Sequence, residues 1–308
     1  MAAPNAQVLD RGNGHARDRA IMVSRHLQAR GVADPLVLSA MGKVPREAFV
    51  PEHLKEFAYE DSALPIEAGQ TISQPYIVAR MIELLALEPG DKVLEVGAGS
   101  GYAAAVLGRI ARQVFAIERH EELANEARAR LDRLGHTNIK IIIADGTKGL
   151  PDEAPFDAIL VSAGGPKVPE ALKRQLAIGG RMVIPVGSGH HQTLFLVRRT
   201  GEDTFEEEDH GAVAFVPLIG AEGWVEPEAE ETAIDAQSSG FAAGLLAPEK
   251  RAEAIRGRLG DLIAEAAEPF GDLDELARLA ERFAHKRVVL LGEATHGTAE
   301  FYDARAAI

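Results

Sequence analysis

The chain has 308 residues, 46 per cent of them hydrophobic, enough for a sizeable core and for one large domain or two ordinary ones. Its 47 acidic against 33 basic residues leave a formal charge of −14 with no basic stripe, which argues against a nucleic-acid partner bound by phosphate neutralisation. With no cysteine there is no disulfide framework, thiolate nucleophile or thiolate metal site.

The N-terminal stretch "MAAPNAQVLDRGNGHARDRA" lacks the apolar core of a secretion signal. No run approaches the roughly 20 apolar residues of a membrane span. A cytoplasmic location without a membrane partner is therefore expected. Ala16, Ala20, Val23 and Leu27 are spaced for one helix face, and Pro35 opens a second segment ending near "KVPREAFVP". Together these read as an N-terminal helical cap. "GQTISQPYIVARMIELL", residues 69–85, then sets a polar Thr-Ile-Ser-Gln run directly before an apolar-periodic helix. Spacing alone makes Ser73 a helix cap, with Gln74 and Pro75 in the first turn. A hydroxyl at a helix start can also orient a carboxylate, so capping and a functional role are compatible.

From Lys92 to about Ile184, β-rich runs ("KVLEV", "QVFAIE", "IKIIIAD", "FDAILVS", "GRMVIPV") alternate with helical patterns. This implies an α/β, doubly wound, mostly parallel sheet covered on both faces. "QTLFLVRR" and "GAVAFVPL", joined by acidic "TGEDTFEEEDH", read as an antiparallel pair at one edge. After Trp224 the composition shifts to "VEPEAEETAIDAQSSG", which reads as a linker. The expected organisation is one domain over 1–220, a linker over 221–245 and a further segment over 246–308. In that segment Ala252, Ile255, Leu259, Leu262 and Ala266 mark one helix, Leu273, Leu276, Ala280 and Phe283 another, and "RVVLL" a strand.

"LEVGAGSGY" follows a strand and opens a helix. Gly97, Gly99 and Gly101 leave room for a ligand against the backbone, and a tight turn that only lets helix and strand pack is the alternative. A dinucleotide site is the functional rival, but Glu95 before the compact "GAGSG" resembles motif I of S-adenosylmethionine-dependent methyltransferases. The next strand ends in Glu118, where a carboxylate can accept from both ribose hydroxyls, and the third in Asp145 and Gly146. Singly, Glu118 fits a surface acid and Asp145 a turn residue. At three successive strand ends they favour one crevice. No metal site is expected, the pair His190 and His191 reading as a loop.

"VPREAFVP", "AYEDSALPIEAGQTISQPYIVARMIELL", "KVLEVGAGSGYAAAVL", "VFAIERHEELANEA", "ADGTKGLPDEAPFDAILVSAG" and "VPEALKRQLAIGGRMVIPVG" together resemble protein-L-isoaspartate O-methyltransferase, from about residue 20 to 220. The resemblance implies a Rossmann-like methyltransferase fold that takes S-adenosyl-L-methionine, yields S-adenosyl-L-homocysteine and acts on isoaspartyl-containing peptides and proteins. It puts the active-site serine at Ser73 and the acceptor contacts at Thr71, Ile72, Gln74 and Ser162. The cofactor positions are Gly97, Ala98, Gly99, Ser100, Gly101, Glu118, Asp145 and Gly146. One departure is "VSAGGPKVP", where the family commonly has Val-Thr-Ala-Ala. Gly164 and Gly165 are expected to loosen that loop and weaken substrate affinity. Methylation of another carboxylate or small molecule, and a non-catalytic cofactor-binding module, are the alternatives. "RVVLLGEATHGTAEFYDARAAI" resembles the opening of the erythromycin esterase-like family, with Glu293 and His296 on its active site. Residues 246–308 cannot supply that family's remaining catalytic groups, so no esterase activity is expected.

Overall fold

A computed structural model describes residues 15–188 and 191–225. The chain divides into two units, Met1–Glu231 and Thr232–Ile308, and every described residue belongs to the first. The C-terminal helices, the "RVVLL" strand, Glu293, His296, His190 and most of the linker lie outside the described residues.

The first helix, α1, covers 15–21, widens into a π turn at Met22–Leu27 and tightens to a 3-10 turn at Gln28–Arg30. Met22 and Leu27 are buried but Ala16 and Ala20 are exposed, so the face expected of a uniform helix does not form. Arg19 turns inward instead, its Nε donating to Tyr59 Oη at 2.8 Å while Nη2 meets Glu47 at 3.2 Å. Helix α2, Pro35–Lys43, starts as its sequence dictates: Asp34 Oδ1 accepts from the backbone N–H groups of Leu36 and Val37, with Pro35 at the first helical position. Two 3-10 turns, Arg46–Phe49 and Glu52–Phe57, lead to a short ribbon in which β1, Leu64–Pro65, pairs antiparallel with β2, Thr71–Ile72. Helix α3, Pro75–Leu85, follows at once and buries Val78, Ala79, Ile82 and Leu85.

The central sheet is built from β3 (Lys92–Val96), β4 (Gln113–Glu118), β5 (Ile139–Ile143), β6 (Phe156–Val161), β7 (Leu176–Ser188), β8 (His191–Arg199) and β9 (Phe205–Val213). Helices α4 (Tyr102–Leu107), α5 (Glu121–Arg133) and α6 (Glu170–Gln175) lie between successive strands. The spatial order is β5-β4-β3-β6-β7-β8-β9; the first five are parallel, and β8 and β9 each run antiparallel to the strand before. Chain order therefore reverses between β3 and β6, the place where doubly wound sheets open a crevice at their carboxyl ends. Alternate side chains feed two cores: Val93, Val114, Ala116 and Leu160 pack with α2 to α5, while Leu94, Phe115, Ile159 and Val161 pack with Leu172 of α6.

The antiparallel edge exists, but its last strand is shifted from the expected position. The acidic "FEEEDH" is itself β9, the connection from β8 is only 200–204, and the chain leaves the sheet after Val213. Phe205 and Val213 at the two ends of β9 pack against the cores, and the charges between them block pairing of this outermost strand with a further chain. Glu208 meets Arg198 of β8 at 3.0 Å, and Glu207 meets Lys173 of α6 at 3.5 Å.

Candidate active site

The loop from β3 to α4 is shaped by three glycines with left-handed backbones: Gly97 at φ 87°, Gly99 at φ 53° and Gly101 at φ 86°. The N–H groups of Gly97 and Ala98 both donate to Ile117 O, at 2.9 and 3.0 Å, which ties the loop to β4. Glu118, at the end of β4, accepts from Gly99 N at 2.8 Å through Oε2 and from His120 N at 2.9 Å through Oε1. The second strand end thus holds the first loop from beside it. A narrow pocket of about 40 Å³ lies in the crevice, with Gly97 to Ser100, Glu95, Tyr102 and Leu160 on one side and Thr71 to Ser73 and Met81 on the other. The Thr-Ile-Ser run folds back over the carboxyl edge of the sheet.

Beside the pocket lies a wider cleft of about 570 Å³, walled by Asp61 to Ala63, Gln74, Ile77 and the segment 212–216 that follows β9. Three residues line both spaces: Thr71, Ser73 and Ser162. All three carry hydroxyls, and among the described residues none of those hydroxyls makes a hydrogen bond. Ser73 does not cap α3. Gln74 holds the cap position without a side-chain bond, and Asp61 Oδ1 takes Tyr76 N at 3.2 Å instead. The hydroxyl that spacing assigned to the helix is therefore uncommitted at the junction.

The segment is held from both flanks. On one side Arg46, fully buried, donates from Nε to Ala58 O and from Nη2 to Ser73 O, each at 2.8 Å, and its guanidinium lies 4.8 Å from the centre of the Tyr102 ring. Burial works against its charge and lowers its pKa, and Nη1 has no hydrogen-bond partner. On the other side Gln74 Nε2 donates to Asp61 O and Oδ2 at 2.8 Å, while Arg30 pairs with the same carboxylate and stacks 3.6 Å from the centre of the Tyr76 ring.

Glu95 supplies the site's electrostatics. It is fully buried on β3, neither carboxylate oxygen has a partner, and desolvation, reinforced by nearby Glu118, pushes its pKa well above the carboxylate range. A buried carboxylate left unpaired at a pocket wall suits a cationic group arriving from outside. Among the described residues, no Lys, Arg or His lines either space.

Of the residues singled out in the sequence, Thr71, Ile72, Ser73, Gly97, Ala98, Gly99, Ser100 and Ser162 come together at the inner pocket, and Gln74 faces the outer cleft. Gly101, Glu118, Asp145 and Gly146 stand behind these walls. Burial alone would raise the Asp145 pKa, but bonds from the Thr147 hydroxyl, Ala221 N and Thr147 N outweigh it and hold the carboxylate low. That carboxylate therefore clamps the chain at 221. Gly146 packs closely, since a Cβ there would stand 2.5 Å from Val96 Cγ1. Nor is the loop at Gly164 and Gly165 loose. Gly164 N donates to Val216 O at 2.8 Å, Gly164 O accepts from Leu218 N at 2.9 Å, and Gly165 bonds Pro185 O and Gly187 N at 3.0 and 2.9 Å. Sequence reasoning gave no role to Arg46, Asp61, Tyr102 or the wall at 212–216. The "VPREAFVP" block was the available signal for Arg46. Among the described residues no group of His, Asp and Glu is arranged to hold a metal, and no helix is long and apolar enough to cross a membrane.

A doubly wound sheet with a glycine-loop pocket at its switch point places the chain among the α/β folds that bind a ligand at the carboxyl edge of the sheet. The family model described as protein-L-isoaspartate(D-aspartate) O-methyltransferase matches residues 17–223. A protein-L-isoaspartate O-methyltransferase 2 of Pelobacter propionicus is 58% identical over 207 residues, covering 67% of this chain and 92% of that one. The protein-L-isoaspartate O-methyltransferase of Methylorubrum extorquens is 60% identical over 212 residues, 69% of this chain and 92% of that one. Among solved structures, a protein-L-isoaspartate O-methyltransferase superposes with a TM-score of 0.60 at 30% identity, covering 67% of each chain. One described as the Plasmodium falciparum enzyme in complex with S-adenosyl-L-homocysteine gives 0.56 at 28% identity, covering 67% of this chain and 98% of that one. The chain belongs to the protein-L-isoaspartate(D-aspartate) O-methyltransferase family.

Proposed function

We propose that the chain transfers a methyl group from S-adenosyl-L-methionine to the free α-carboxylate of L-isoaspartyl and D-aspartyl residues in damaged proteins, with Ser73 holding the acceptor. Carrying this reading is the shared wall: three uncommitted hydroxyls, on Thr71, Ser73 and Ser162, stand where the cofactor pocket meets a cleft wide enough for an extended peptide. Bound S-adenosyl-L-methionine supplies an electrophilic methyl group on a sulfonium. Gly97 to Gly101 and Glu118 are the residues to hold it, and Glu95 offers its unpaired carboxylate to the cofactor's cationic end. The cofactor would span the inner pocket and the crevice near Gly99 and Glu118, with Asp145 and Gly146 at the neighbouring strand end.

An α-carboxylate has a pKa of roughly 3.5, so near neutral pH it is already an anionic nucleophile. No general base is needed, and among the described residues no basic side chain lines the cavity walls, which fits that chemistry. The hydroxyls of Ser73, Thr71 and Ser162 donate hydrogen bonds that orient the acceptor, and Ile72 and Met81 exclude water beside it. The methyl ester leaves and closes to a succinimide as the following backbone nitrogen displaces methanol, and hydrolysis of the succinimide returns part of the material as normal aspartate.

Transfer of labelled methyl to paired peptides differing only in isoaspartyl or aspartyl linkage tests the reading, with base-labile ester as the readout. Label is expected on the isoaspartyl peptide alone. Ser73→Ala is expected to lower kcat/KM by about 10- to 100-fold, the scale of one or two lost hydrogen bonds to a charged group, with cofactor affinity retained. Glu118→Ala is expected to weaken the cofactor instead. Equal cofactor loss in both variants would sink the division of roles. Location in the cytoplasm and the erythromycin esterase-like reading of 246–308 belong to the same proposal.

A further inference from the structure

Gln192 lies on β8, buried to 4% exposure, and its side-chain amide is spread along the backbone of a residue 23 positions away. Nε2 donates to Phe215 O at 3.0 Å, and Oε1 accepts from Phe215 N at 2.9 Å. A primary amide that satisfies both backbone groups of one residue replaces a strand partner at that point. Phe215 has just left the sheet and stands in the wall of the outer cleft, which Ser73 and Gln74 also line. Against the same amide lies Gly164. A Cβ at position 164 would stand 2.6 Å from Gln192 Cδ and Nε2 and 2.7 Å from Oε1, closer than such atoms approach. The glycine is thus the space the glutamine amide occupies.

We infer that Gln192 and Gly164 act as one device, a positioning pair that sets the cleft wall at 212–216 and through it the recognition of the acceptor peptide. The inference rests on the reading of the cleft as the peptide site. It assigns function to a departure from the family's usual alanine that sequence alone takes for a weakness. Gly164 is itself stitched to Val216 and Leu218, so the wall, the glutamine and the Ser162 loop form one hydrogen-bonded layer beside the hydroxyl junction. Neither residue lines the cofactor pocket. Their loss should therefore act on the peptide and leave the cofactor alone.

The test is a double-mutant cycle in the full chain, Gln192→Ala, Gly164→Ala and both together, read by methyl transfer to an isoaspartyl peptide, by S-adenosyl-L-homocysteine titration and by amide exchange at Phe215. Gln192→Ala is expected to raise the peptide KM by about tenfold, the scale of two lost hydrogen bonds, with kcat and S-adenosyl-L-homocysteine affinity within about twofold of the parent. Gly164→Ala is expected to do the same by displacing the amide. The double variant should be no worse than Gln192→Ala, because the added methyl then enters vacated space. Amide exchange at Phe215 should speed up in all three, a readout independent of turnover. Additive effects, equal loss of cofactor affinity, or unchanged exchange at Phe215 would each overturn the pair. Failure of the parent to label any isoaspartyl peptide, with exchange responding as expected, would reject the peptide reading of the cleft and the assigned role in recognition while leaving the contact itself intact.

Discussion

Glu95 presents the sharpest chemical tension in the protein, a carboxylate buried without a partner beside Glu118. In the unfolded chain a glutamate titrates near about pH 4.3, whereas folding pushes this one well above that. Between the two values the folded state binds the extra proton, so the stability of ligand-free protein falls as pH rises from about 4.3 towards the folded pKa. Glu95→Gln is expected to remove this component of the slope in thermal melts and to weaken cofactor binding by about tenfold or more, the scale of a hydrogen bond to a charged group. Identical pH slopes in the two proteins would contradict it. Cofactor binding should release a proton wherever Glu95 is still protonated, measurable by calorimetry in buffers of different ionisation enthalpy.

The Thr-Ile-Ser-Gln segment shows what local spacing can and cannot convey. The glycine loop, Glu118 and Pro75 are legible because each rule acts within a few residues of its strand or helix. Arg46 is not, because its partner carbonyl on Ser73 lies 27 positions away and a buried guanidinium leaves no periodic trace. Gln192 and Phe215 are hidden for the same reason. The face expected of Ala16 and Ala20 fails where the helix changes pitch, and β9 is misplaced because an outermost strand carries charge where the β pattern expects apolar residues. The Arg46 clamp also yields a stability expectation. Arg46→Lys should cost about 2–3 kcal/mol in urea unfolding, since one ammonium cannot reproduce a two-pronged grip in a dry site. It should lower kcat/KM for peptide more than cofactor affinity. A variant with full stability and activity would show that Ser73 is held by other means.

The described fold is self-contained, with both sheet faces covered by cores that draw on residues 22 to 218. A chain ending at residue 225 is therefore expected to keep methyl transfer within about twofold and to unfold in one cooperative transition. Loss of activity on removing 226–308 would make that region part of the working enzyme.

Among the described residues no cationic side chain lines the outer cleft, so in the proposed reaction three hydroxyls would meet the carboxylate there. A hydroxyl binds an anion more tightly than it binds the neutral ester made from that anion. Methyl transfer removes the charge that those hydroxyls grip, so turnover itself loosens the product. An arginine in their place would hold the damaged peptide harder and would also meet every intact carboxylate in the cell with the same strength. Contacts that weaken once the charge is gone would let the enzyme release each methyl ester without a separate opening step.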